Sequence, residues 1–138
     1  MSRVINTAPP GTVRNQQRRI VAEALRALSQ KSRFDDEAKD LAVVIVIALQ
    51  EISNTIDRTI DAWERRDYYM KAERFREKWR WLDAMTDELS GIAYRADWDQ
   101  LPLALARLMP HFSDITIKRM THDSSQWKGA YQAFMRAE

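Results

Sequence analysis

The chain has 138 residues, of which 45% are apolar and 30% are charged, with a formal net charge of +2. This balance is typical of one folded domain and excludes an intrinsically disordered protein. The absence of cysteine excludes disulfides, iron–sulfur clusters and cysteine-ligated zinc, and three glycines with four prolines are too few for the turns of a many-stranded protein. The composition therefore predicts a soluble all-α protein.

An extended arm over residues 1–11 is expected before the first helix. The sequence APPG at residues 8–11 predicts a break, because proline lacks an amide donor and restricts the residue that precedes it. Thr12 is the expected N-cap of a first helix over about residues 12–32. This helix has an apolar side and a distinctly basic side.

A second helix is predicted over about residues 36–66, with Asp35 and Asp36 as candidate caps. Its middle, VVIVI, has the β-branched composition of a strand. A helix is favoured because apolar side chains recur on one face for more than six turns: Leu41, Ile45, Ala48, Ile52, Ile56, Ile60 and Trp63. We expect this helix to be the centre of the core.

The third helix is expected over about residues 67–95, with Asp67 as its cap, and includes the end of the segment WERRDYYMKAERFREKWRW. Aromatic rings among Arg and Lys are typical of nucleic-acid-binding surfaces and also of amphipathic helices. At 100° per residue, Tyr68, Phe75 and Trp79 fall on one apolar stripe. We therefore interpret most of this segment as helix packing.

Two shorter helices complete the prediction, over about residues 99–109 and 124–137. Residues 111–122 are left unassigned, because ITI within them alternates weakly like a strand and one isolated strand is not stable. We expect a single all-α domain over residues 12–138, built as a helical bundle with three longer and two shorter helices.

The apolar and charged segments bear on location and partners. The longest apolar run, LAVVIVIAL at residues 41–49, has nine residues, whereas a spanning helix needs about 20. The first residues lack the apolar region of a signal peptide, so a cytoplasmic location is expected. Residues 1–34 carry seven Arg and Lys against Glu23, and residues 35–67 carry nine acids against four bases. This contrast predicts either an anion-binding arm or two elements that attract each other.

The sequence predicts no catalytic, metal or cofactor site. Its two histidines are not part of a Glu-x-x-His motif, with which helical bundles hold di-iron centres. His122 beside Asp123 resembles a base with an orienting carboxylate, but adjacent loop residues more often form a cap and a solvated side chain. Carboxylate pairs at helical spacing lie among arginines, which favours surface ion pairs: Asp57 with Asp61, Glu73 with Glu77, and Asp83 with Asp87. We expect no enzyme, no cofactor and no small-molecule ligand.

Protein association is the first functional hypothesis. Trp81, Met85 and Ile92 form a second stripe on the third helix, and tryptophan and methionine are enriched where proteins meet. Alternatively, another helix of the same chain covers this stripe. We expect a non-catalytic helical interaction module that self-associates or is a small subunit of a larger complex.

Non-specific nucleic-acid binding is the second hypothesis. The arm and the first helix carry five arginines suited to contact phosphates: Arg3, Arg14, Arg18, Arg19 and Arg26. The small net charge and the acidic second helix argue against it.

Overall fold

A computed structural model of the chain describes residues 8–137 and confirms the all-α fold. Within these residues there is no strand, and seven α-helices follow one another: α1 (Pro10–Ser29), α2 (Asp36–Arg65), α3 (Tyr69–Lys78), α4 (Trp81–Arg95), α5 (Leu101–Leu108), α6 (Ser124–Trp127) and α7 (Ala130–Arg136). Short 3₁₀ turns, Trp98–Gln100 and Met109–Phe112, flank α5 on both sides. None of the described helices is both long and apolar enough to span a bilayer.

Helix α1 begins earlier than predicted, because proline suits the first turn of a helix. Pro9 is the N-cap and Pro10 is the first helical residue, so the predicted cap Thr12 lies inside the helix. Proline loses nothing there, since the first amides of a helix have no carbonyl partner within it. The predicted arm is thus shorter at this end, and residues 1–7 lie outside the described part of the chain. The helix ends at Ser29 rather than at residue 32.

Helix α2 forms the centre of the core, as its apolar stripe predicts. Leu41, Ile45, Leu49 and Ile52 are each 0% exposed. The side chain of Asp35 caps the helix by accepting a 2.9 Å hydrogen bond from the Ala38 amide, as expected. All other helices except α5 pack directly against α2, and α5 reaches the core beside α4. Within the helical VVIVI segment, Val43, Ile45 and Val46 are buried, whereas Ile47 is 44% exposed.

The predicted third helix is interrupted at Trp79 and Arg80, between α3 and α4. Side chains at i and i+2 do not face each other on a continuous helix. The interruption allows the rings of Trp79 and Trp81 to stack with centroids 5.7 Å apart. The start also differs, since Asp67 has a left-handed φ of 62° and Tyr68 is the N-cap. Tyr68, predicted to be in the core, is 50% exposed because it precedes the helix.

The predicted last helix is also interrupted, at Lys128 and Gly129, between α6 and α7. Gly129 adopts a φ of 84°, which glycine tolerates and other residues rarely adopt. Asp40 of α2 accepts hydrogen bonds from the Gly129 and Tyr131 amides at 3.1 and 2.9 Å. Asp123 caps α6 in a capping box with Gln126. A carboxylate from α2 thus fixes the start of α7.

Replacement of Ala96 by glycine is expected to raise the free energy of unfolding by about 0.5–1 kcal/mol, because Ala96 ends α4 with a left-handed φ of 54°. Chemical denaturation followed by circular dichroism measures the change. Ala84 is an exposed alanine inside the same helix, and its replacement by glycine should instead lower stability by about 1 kcal/mol. If both substitutions changed the free energy of unfolding in the same direction, the prediction would be contradicted.

Candidate interaction surfaces

The basic side of α1 is covered by residues 113–123, here called the connector, which joins the 3₁₀ turn after α5 to α6. Arg18 forms two hydrogen bonds to the Asp114 carboxylate, at 2.6 and 3.0 Å. Arg19 donates to the carbonyl of Arg119 at 2.9 Å, and Arg26 donates to that of Ile117 at 2.7 Å. Because the connector has no helix or sheet ladder of its own, arginine side chains of α1 bind its carbonyl groups instead.

Glu23 is the buried acid in this arrangement, with 1% of the residue exposed. One carboxylate oxygen accepts hydrogen bonds from the amides of Thr121 and His122 at 2.7 and 2.9 Å. The other accepts from the Thr121 hydroxyl at 2.6 Å and from Arg19 Nε at 2.8 Å. Burial by itself would raise the pKa of Glu23, but together the hydrogen bonds from Thr121 and His122 lower it to about 2.

The structure gives each described arginine of the proposed nucleic-acid strip a partner within the chain. Besides Arg18, Arg19 and Arg26, Arg14 donates to the hydroxyls of two α2 threonines at 3.4 and 3.3 Å and lies over the ring of Phe75. Burial, and secondarily the charge of Arg18, lower the pKa of Arg14. Arg3 lies outside the described residues. The basic side of α1 therefore has a structural role, which the charge contrast with the second helix did not reveal.

The second stripe of the third helix lies mostly inside the chain. Ile92 is 3% exposed and belongs to the core, so it has no surface for a partner, contrary to the predicted interface. Trp81 and Met85 are partly buried against that core. The ring of Trp81 stacks on His111 with centroids 3.7 Å apart and contacts Phe112 edge-on. His111 and Phe112, the first two residues of the segment that was left unassigned, thus cover Trp81.

The carboxylate pairs do not form a site. Glu73 pairs with Arg76 on α3, Glu77 pairs with Arg80 just after it, and Asp83 accepts a hydrogen bond from Ser53 at 2.8 Å. Within residues 8–137 no three acids or histidines are close enough together to hold a metal ion. His122 approaches a carboxylate, but its neighbour is Glu23 at 3.3 Å rather than Asp123.

Helix α5 is the element with the most unusual surface. Its sequence, LPLALARL, contains one charged residue, Arg107. Leu101, Ala104 and Leu108 are buried, and at 100° per residue they occupy one side. The remaining apolar side chains of α5, together with Met109 of the 3₁₀ turn that follows it, form what we call the α5 face: Pro102, Leu103, Leu105, Ala106 and Met109. A helix that is apolar all round is normally buried all round, yet Leu103 is 63% and Met109 is 51% exposed.

An apolar groove runs beside the α5 face, between α5 and α1. Its first part has a volume of about 680 Å³ and is lined by Leu25 and Leu28 of α1 together with Phe34 and Trp98. Its second part, of about 540 Å³, continues past Met109 to Ile115 and Ile117 of the connector. Both parts share the side chains of Leu25, Ser29, Ala106 and Met109, so they form one continuous groove.

Comparison of the chain with protein families, with curated proteins and with solved structures finds no match in any of the three.

Sequence reasoning missed the α5 face although a signal for it was present. In LPLALARLMP, residues 101–110, Arg107 is the single charged side chain. The buried side of an amphipathic helix takes up about half of its circumference. The other side of this helix is also apolar, so it must either be covered by another part of the chain or be exposed to solvent. The groove carried no such signal, because its walls come from elements that are distant in sequence.

Proposed function

We propose that the protein is a non-catalytic helical module that binds another polypeptide chain through the α5 face and the adjoining groove. The observation that carries the proposal is the exposure of an almost uncharged helix beside an apolar groove. Monomeric proteins rarely leave contiguous apolar surface open to water, and such surface commonly marks a site of protein association. We also propose that the protein is located in the cytoplasm, as expected from its sequence.

The shape and chemistry of the surface favour a helical partner segment. The groove is bounded by two helices, and amphipathic helices bind such grooves through apolar side chains at i, i+3 and i+4. Met109 lines both parts of the groove, and its flexible thioether adapts to the surface of a partner. The flank of the face carries the ion pair of Arg107 with Glu88, which gives the surface a polar rim. The partner is therefore expected to present apolar side chains with few charges.

Site-specific photocrosslinking tests this proposal cleanly, because the natural chain has no cysteine. Ala106 is exposed on the α5 face, and Ala106→Cys is labelled with a benzophenone maleimide and irradiated in an extract of the native cells. We expect polypeptide adducts from position 106. The matched control is Ala133→Cys, an exposed alanine on α7 that lines neither part of the groove.

The adducts must also depend on the apolar surface itself. Leu103→Glu in the labelled Ala106→Cys chain is expected to remove them, because a carboxylate cannot be buried there without a partner charge. Leu103 is 63% exposed, so this change leaves the fold intact, which circular dichroism checks. Adducts of equal yield from positions 106 and 133, or adducts that persist with Leu103→Glu, would refute binding through the α5 face.

A further inference from the structure

We infer that the polypeptide bound at the α5 face is a second copy of this chain, related to the first by a two-fold axis that passes close to Ala106. This inference rests on the proposed function and names the partner for it. A two-fold interface requires that one surface be complementary to itself. The α5 face meets this requirement because it is apolar and the groove beside it carries opposite charges at its two ends.

Two copies of the α5 face can cover each other's exposed apolar side chains. Leu103 protrudes from the outer edge of α5 and is 63% exposed. The groove lies on the other edge of the same helix, lined by Leu25 and Leu28 of α1 and by Leu105. A two-fold axis perpendicular to α5 makes the two helices antiparallel and brings the same edge of each copy together, so that groove faces groove and Leu103 lies against the outer edge of the partner's α5. The exposed leucines and the apolar grooves of both copies are thus buried in a single step.

The charges of the groove fit the same arrangement. Asp99 lies at the end of the groove where α5 begins, together with Trp98. Arg26 lies at the opposite end, beside Ile117, and directs one guanidinium nitrogen to that residue's carbonyl. A two-fold axis across the middle of the groove exchanges its ends, so Asp99 of each copy faces Arg26 of the other. A parallel arrangement would instead place like charges together, which is unfavourable.

The centre of the face permits close approach. Ala106 is small and lines both parts of the groove, and the neighbouring Met109 can change rotamer at little cost. The charged residue on α5, Arg107, lies to one side and pairs with Glu88 of α4. Neither copy therefore brings an unpaired charge to the axis. Such a charge would have to be desolvated when the two copies associate, which is unfavourable.

Two experiments on the purified chain test the inference: sedimentation and cysteine cross-linking. We expect a dimer, and we expect Leu103→Glu to raise its dissociation constant by about a hundredfold, as the loss of a central apolar contact does. Met70→Glu is the matched control, since Met70 is 72% exposed on α3, away from the α5 face, and that variant should remain dimeric. Mild oxidation of the otherwise cysteine-free Ala106→Cys chain should give a disulfide-linked dimer, whereas Ala133→Cys should not.

The outcomes separate this inference from the proposed function. A chain that stays monomeric at all concentrations, or a dimer unaffected by Leu103→Glu, overturns the second copy as partner. If photocrosslinking from position 106 then captures a different protein in a Leu103-dependent way, binding through the α5 face still stands. If neither a second copy nor another protein is captured from position 106, both fail.

Discussion

Replacement of Glu23 by glutamine is expected to lower the free energy of unfolding by about 3 kcal/mol at neutral pH. The carboxylate is 1% exposed and accepts hydrogen bonds from Thr121, His122 and Arg19. Glutamine offers one oxygen in place of two and turns an amide donor towards groups that are themselves donors. The connector would lose its central attachment to α1. Urea denaturation followed by circular dichroism measures the loss.

The matched control for this change is Glu51→Gln. Glu51 is an exposed residue of α2, and surface substitutions away from special contacts usually change stability by less than about 0.5 kcal/mol. A similar small effect for Glu23→Gln would mean that the carboxylate does not hold the connector in solution. Hydrogen exchange adds a local measurement, because the Thr121 and His122 amides should exchange faster in the Glu23 variant.

The pH dependence of stability follows from the same carboxylate. Its pKa is about 2 in the folded chain, against an ordinary value of 4.5. Above about pH 5 the group is ionised in both states, and its contribution of about 3 kcal/mol is fully present. As the pH falls towards 2, the unfolded chain takes up the proton first, so stability is lost. The difference between wild type and Glu23→Gln should therefore shrink over this interval, and a constant difference would contradict the assignment.

Other carboxylates also make the folded chain less stable as the pH falls. The pH dependence of the wild type must therefore be compared with that of Glu23→Gln. Hydrogen bonds with the Ala38 amide and Lys31 lower the pKa of Asp35, and a hydrogen bond from Arg18 lowers that of Asp114. Both groups therefore also lose stabilising contacts as the pH falls. Subtraction of the Glu23→Gln profile removes the contribution of Asp35, whose partners Ala38 and Lys31 lie outside the connector.

The parts of the fold that sequence predicted well are those in which each residue's surroundings repeat along a helix. The apolar stripe of α2 predicted a central helix, and Leu41, Ile45 and Ile52 are fully buried there. Asp35 was predicted as a cap because the positions that follow it are helical and its side chain can accept a hydrogen bond from a free amide of the first turn. Such features depend on residues within about one turn, so the sequence contains all that is needed.

The attachment of the connector could not be predicted, because its partners are main-chain groups. Arg19 and Arg26 bind carbonyls of residues 119 and 117, about ninety to one hundred positions away. Every residue has a carbonyl, so no side-chain pattern marks the acceptor. The basic side of α1 was visible, but charge alone did not distinguish phosphates, an acidic helix and a carbonyl-rich segment. The location of the candidate surface depends on this attachment, since Ile117 closes one end of the groove.

Replacement of Leu49 by alanine is expected to lower the free energy of unfolding by about 3–4 kcal/mol, the largest effect among the substitutions described. Leu49 is 0% exposed on α2, where other helices surround it, so the lost side chain leaves a cavity that the core cannot close. The loss should be the same at every protein concentration, because it arises within one folded chain. Thermal or urea denaturation at two concentrations measures it.

Leu103→Ala is the matched control, because it removes the same atoms from a side chain that is 63% exposed. In dilute solution, where the proposed dimer is dissociated, it should change stability by less than about 0.5 kcal/mol. At high concentration, dimer formation stabilises the wild type more than it stabilises Leu103→Ala, whose interface is weaker. The loss of stability caused by Leu103→Ala should therefore grow with protein concentration. If Leu103→Ala lowers the free energy of unfolding equally at both concentrations, Leu103 lies outside any interface between copies. This conclusion does not depend on the result for Leu49→Ala.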